Sequence, residues 1–89
     1  MSTTVYGMDI NAARDLVRVM TTDADTITQL TSRLTQQLEG TPWQGPDSQR
    51  FRTDWQGQYV PALNSVVQAL QENAQILASQ ADDQERASS

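Results

Sequence analysis

Eighty-nine residues with a mass of 9.9 kDa allow one small domain, because so short a chain cannot divide into two independent cores. With no Cys and no His it lacks disulfides, thiolates, the commonest metal ligand and the commonest general base, so neither an enzyme nor a metal or cofactor site is expected. Eleven acids against six Arg and no Lys leave a net charge of -5, which repels phosphate backbones and, at neutral pH, anionic lipid.

In chain order, residues 1–7 carry no apolar stripe and read as a frayed start without the basic region and apolar stretch of a Sec signal peptide. A first helix over about 9–38 is expected to open at Asp9, whose carboxylate can accept from an unpaired first-turn N–H. Leu16, Met20, Ala24, Ile27, Leu30, Leu34 and Leu38 recur along it at steps of three or four, the spacing of one helix face. Gly40, Pro42, Gly45 and Pro46 then mark a turn over 39–46, with Gly40 available as a left-handed cap. A second helix over about 46–81 is expected to open with Gly45 as cap, Pro46 at the first helical position and Asp47 in the first turn. Its stripe is Phe51, Trp55, Tyr59, Ala62 or Leu63, Val66, Leu70, Ala74 and Leu77. Pro61 deletes an N–H inside this helix and predicts a bend between Gly57 and Pro61. The small, charged tail 82–89 reads as flexible. Period-two alternation is absent over any useful length, so the fold class is all-α: an antiparallel two-helix hairpin about 45 Å long at 1.5 Å per residue.

Two helices bury only the line along which they touch, whereas flanking Val17, Val19, Val60 and Val67 widen the apolar surface. Pairing of two hairpins into a four-helix bundle is the simplest remedy. Twelve Gln and ten Thr, rather than dense Glu–Lys pairs, cover the polar surface, so packing must supply most of the helix stability.

At the turn stands Trp43-Gln44-Gly45, a W-x-G tripeptide joining two helices of similar length and followed by Phe51, Trp55 and Tyr59 at four-residue spacing. Over essentially its whole length the chain resembles the WXG, or ESAT-six-like, family of small proteins exported by type VII secretion systems. The resemblance implies a homodimer or heterodimer of antiparallel hairpins, export without a cleaved signal peptide from a cytoplasmic pool, and action as a secreted effector, adaptor or chaperone-like partner. It also implies that Trp43 and Gly45 form half of a recognition surface for the secretion machinery, the other half coming from a partner's tail. Independently of the family, Gly45 permits a tight start to helix two and Trp43 can plug the end of the hairpin. The dimer and hairpin interfaces are assigned to Leu16, Met20, Ile27, Leu30, Leu34, Leu38, Phe51, Trp55, Tyr59, Leu63, Val66, Leu70 and Leu77. One family element is missing: no Tyr follows Tyr59, and the residue four beyond it is Leu63, so Y-x-x-x-D/E is absent after helix two.

Other constellations are weaker. The acids Asp9, Asp15, Asp23 and Asp25 lack the loop spacing of a calcium site. Ser and Thr are plentiful but have no His, Cys or Lys to act as base. Arg50 and Arg52 are expected to pair with Asp47, Asp54 or Glu39. Arg without Lys points to a GC-rich coding source, consistent with actinobacteria. Beside the secreted-dimer reading stand a cytoplasmic chaperone-like adaptor that pairs with a larger exported WXG or toxin protein, and a membrane-active effector that the charge disfavours at neutral pH.

Overall fold

The computed structural model describes residues 8–88, and within them the chain is helical with no strand. Helix α1 covers Ile10–Gly40; the second arm consists of α2 (Pro46–Asp54), a π-helical turn (Trp55–Tyr59) and α3 (Val60–Ser88). The arms run antiparallel as a rod of 63 × 19 × 13 Å. Its radius of gyration of 19.3 Å compares with about 12 Å for a compact domain of this length, so the hairpin has a seam rather than a centre.

Local chemistry accounts for the helix starts. Asp9 caps α1, its Oδ1 accepting from the Ala12 N–H at 3.1 Å. Gly45 caps α2 at φ 117°, a left-handed-side conformation that side chains resist, and Pro46 and Asp47 follow in the first turn as expected. Open space surrounds the position of a Cβ on Gly45, so the backbone angle alone demands glycine there.

Three boundaries differ from expectation. Gly40 is not a left-handed cap: it is the last residue of α1, and the following Thr41 is extended, with its N–H reaching the Leu38 carbonyl and its hydroxyl the Gln37 carbonyl. The second arm does not stop near residue 81 in a flexible tail, because residues 82–88 continue α3. Ala81 is fully buried, Arg14 of α1 pairs with Asp82 (3.2 Å) and Glu85, and Gln84 donates to the Met8 carbonyl, so α1 holds this segment in place. At Pro61 the conflict is met by the π-helical turn, in which the Val60 N–H donates to the carbonyl of Trp55 five residues back. The wider turn lies directly before the proline, where an α pattern would be one bond short.

The seam follows a seven-residue repeat, lettered a to g with a and d between the helices. In α1 these positions are Ile10, Ala13, Val17, Met20, Ala24, Ile27 and Thr31, then, after a one-residue shift, Thr35 and Leu38. In α3 they are Val60, Leu63, Val67, Leu70, Ala74, Leu77, Ala81 and Gln84, all buried or half-buried. The fully enclosed apolar residues are Ala13, Ala24, Ala74, Ala81 and Trp55. Alanines let the helix axes approach closely but bury little area per turn. Thr31 and Thr35 occupy seam positions without cost to the fold because their hydroxyls donate to the carbonyls of Ile27 and Thr31 within the helix.

Candidate functional site

The thin seam leaves large apolar side chains outside it. Among the described residues Leu16, Val19, Leu30, Leu34, Trp43, Tyr59, Val66 and Ile76 are between 42 and 53% exposed. Leu16, Leu30, Leu34, Tyr59 and Val66 were expected on the same stripes as Met20, Ile27, Leu38, Trp55, Leu63, Leu70 and Leu77. The structure separates the two sets, placing only the second between the helices. The π-helical turn causes part of this shift: the residue that returns over Trp55 is Val60, five positions on, so Tyr59 and Val66 turn outward while Val60 and Val67 take the seam.

The exposed apolar residues are not scattered. On the seven-residue repeat Leu16, Leu30, Leu34, Tyr59 and Val66 take g positions, and Val19 and Ile76 take the adjoining c positions. In an antiparallel pair the g flank of one helix lies beside the g flank of the other, so these residues share one long side of the rod. The e flanks share the opposite side, as the contact between Arg14 and Glu85 shows. That side is polar, carrying Arg14, Thr21, Thr28, Asn64, Gln71 and Glu85, with a shallow groove beside Thr21, Gln71 and Gln75. One face of the hairpin is therefore apolar and the other hydrated.

At the turn the apolar side ends in an aromatic cluster. The Phe51 ring lies 6.3 Å from Trp43, 6.2 Å from Trp55 and 6.4 Å from Tyr59, and Trp55 lies 6.5 Å from Tyr59. These tilted rings support one another within the range of favourable aromatic pairs. Trp55 points inward, donating its indole N–H to Thr35 Oγ1 at 2.9 Å, whereas Trp43 and Tyr59 remain open to solvent.

Arg52 fixes this end of the molecule. Its guanidinium donates to the carbonyls of Leu38, Thr41 (3.0 Å) and Trp43 (3.4 Å), and its Nε donates to Ser48 Oγ at 2.9 Å. Ser48, almost wholly buried, donates its hydroxyl to the Trp43 carbonyl at 2.7 Å. The expected acid partners of Arg52 are therefore replaced by carbonyls; Arg50 alone reaches Asp47, at 2.9 Å. Arg52 stands in the last turn of α2, where a cation suits the helix dipole, and its guanidinium also satisfies acceptors at the negative end of α1. The backbone around Trp43 and Gly45 is thereby held while the Trp43 ring stays exposed.

Among the described residues no three potential metal ligands come together, and no buried polar side-chain atom lacks a hydrogen bond. Among them, too, no helix is long and apolar enough to cross a membrane. The sequence reading missed the phase of the seam, the latch formed by Arg52, and the inward roles of Thr31 and Thr35. The seven-residue recurrence of Ala24, Thr31 and Ala74, Ala81 was the available sign.

Comparison with protein-family models, with curated proteins and with solved structures returns no match for this chain.

Proposed function

We propose that the chain is a non-enzymatic pairing protein of the WXG kind, which joins a second hairpin as a homodimer or heterodimer in a four-helix bundle and is exported by a type VII secretion system as an effector or adaptor. The observation that carries the reading is the segregation of the exposed apolar side chains, Leu16, Leu30, Leu34, Tyr59 and Val66, onto one side of a hairpin that encloses only alanines and Trp55 among its apolar residues. A monomeric protein rarely gathers so many exposed large apolar side chains on one side, and a second hairpin supplies the length and shape to cover them. Leu16, Leu30, Leu34, Tyr59 and Val66 then belong to the intersubunit contact. Trp43, exposed beside the cap Gly45, is the recognition element for the secretion machinery.

The test separates export from folding. Trp43→Ala is expected to leave helical content unchanged by circular dichroism while export to the culture medium falls at least about tenfold; unchanged export removes the role assigned to the turn. The alternative, a cytoplasmic chaperone-like adaptor for a larger exported WXG or toxin partner, is favoured by the absence of Y-x-x-x-D/E after Tyr59. Under that reading the wild-type chain stays in the cells while its partner is exported.

A further inference from the structure

Along the g positions of the apolar side there is one charged residue, in the middle, and it bears on what can cover the side. Leu16, Asp23 and Leu30 follow one another at seven-residue spacing, so Asp23 occupies the g position between the two leucines. Counted from the level at which Arg14 meets Asp82, Leu30 is level with Val66 and Asp23 is level with Asn73, itself a g position of α3. A rung of one carboxylate and one amide thus crosses the middle of the strip, and Gln80, level with Leu16, adds a neutral amide nearer the open end. Asp23 is exposed and takes part in none of the ion pairs formed by the described residues. The nearest arginines in α1 do not serve it: Arg18 lies at a b position and pairs with Asp15, and Arg33 is nearly three turns along the helix.

A second copy of the chain fits this side sterically but not electrostatically. The apolar residues of α1 are arranged nearly symmetrically about residues 24 and 25, so an antiparallel copy would set Leu16 against Leu34 and Val19 against Leu30. The two Asp23 carboxylates would then stand only about 5 Å apart along the axis, in a strip being dried by the leucines on either side. Like charges brought together with loss of water oppose association strongly, and neither copy offers a cation there. A parallel copy would bring Asp23 directly against Asp23.

Building on the proposed pairing function, we infer that this side selects a different protein: a helical partner whose apolar strip is broken by a Lys or Arg at the level of Asp23, with a hydrogen-bonding group opposite Asn73. Asp23 admits that partner and rejects a second copy. A polar residue set singly in an apolar helix interface is a known means of fixing register and partner choice.

The experiment supplies the missing cation on the same scaffold. Self-association of the wild-type chain, Asp23→Leu and Asp23→Arg, and association in an equimolar mixture of wild type and Asp23→Arg, are measured by sedimentation equilibrium. Because residue 23 is exposed, the variants should keep the helical content and unfolding midpoint of the wild type, which circular dichroism checks. The inference predicts that Asp23→Leu self-associates at least tenfold more tightly than wild type, and that the mixture does so relative to either component alone. Leu34→Asp in both components of the mixture should abolish the gain. Wild type that already dimerises as tightly as Asp23→Leu and the mixture would overturn partner selection while leaving the pairing reading intact. If the mixture and Asp23→Leu both remain monomeric at the highest soluble concentrations, the apolar side is not a pairing surface and both readings fall.

Discussion

The two ends of the hairpin are held together by different physics. At the turn, directional bonds dominate: Arg52 ties three carbonyls and the Ser48 hydroxyl, Trp55 reaches across to Thr35, and Phe51 is packed among three other rings. At the open end, closeness does the work: Ala13 and Ala81 are enclosed in the seam, and the cross-helix ion pairs of Arg14 lie in solvent. A directional network fixes one geometry, whereas a seam of methyl groups flanked by exposed ion pairs tolerates opening. The turn end therefore presents Trp43, Leu30, Leu34, Tyr59 and Val66 from a rigid base, whereas the cross-helix ion pairs of the open end are exposed and weak.

The sharpest way to break this contrast is at Trp55. Trp55→Ala removes the one large side chain enclosed in the seam together with its bond to Thr35, and is expected to lower stability by about 3–5 kcal/mol in chemical denaturation. Arg52→Ala should follow at about 2–3 kcal/mol, because carbonyls at the end of α1 lose a charged donor. Arg52→Lys should recover less than half of that, since an ammonium cannot reproduce the planar fork of donors. The smallest effect belongs to the open end. Arg14→Ala should cost only about 0.2–1 kcal/mol, and less in high salt, because its pairs with Asp82 and Glu85 are well exposed. An Arg14→Ala effect as large as that of Arg52→Ala would erase the distinction between the ends.

Features set by local chemistry were legible in the sequence: the Asp9 cap, the Gly45-Pro46-Asp47 start of the second arm, the extent of the first arm and the absence of strands among the described residues. The phase of the seam was not. Leu16, Leu30 and Leu34 were drawn to the predicted core by their size and their three- or four-residue spacing; in the hairpin they flank a seam that takes Ala13, Val17, Met20, Ala24, Ile27 and Thr31. The π-helical turn was equally hidden, because Pro61 announces a missing donor but not how neighbouring turns respond, and that response decides whether Tyr59 or Val60 faces α1. The tail beyond Ala81 looked polar in isolation; its order comes from contacts with Arg14 and Met8 at the far end of the chain. Trp43 and Gly45 lie in the turn, and Leu16, Leu30, Leu34, Tyr59 and Val66, which the stripes assigned to interfaces, lie outside the seam because helical spacing alone does not tell outward from inward.

The account turns on whether the apolar side is covered where the protein works. Because the chain contains no Cys, single thiols can be placed cleanly: Leu34→Cys on the apolar side and Thr22→Cys away from it, both at exposed positions. Their labelling by a small maleimide is then compared between the purified chain at low concentration and the cells that produce it. Equal, rapid labelling of both variants in the purified chain, with at least about tenfold slower labelling of Leu34→Cys alone in cells, is the result expected of a pairing surface. Equally rapid labelling of both in cells would contradict it.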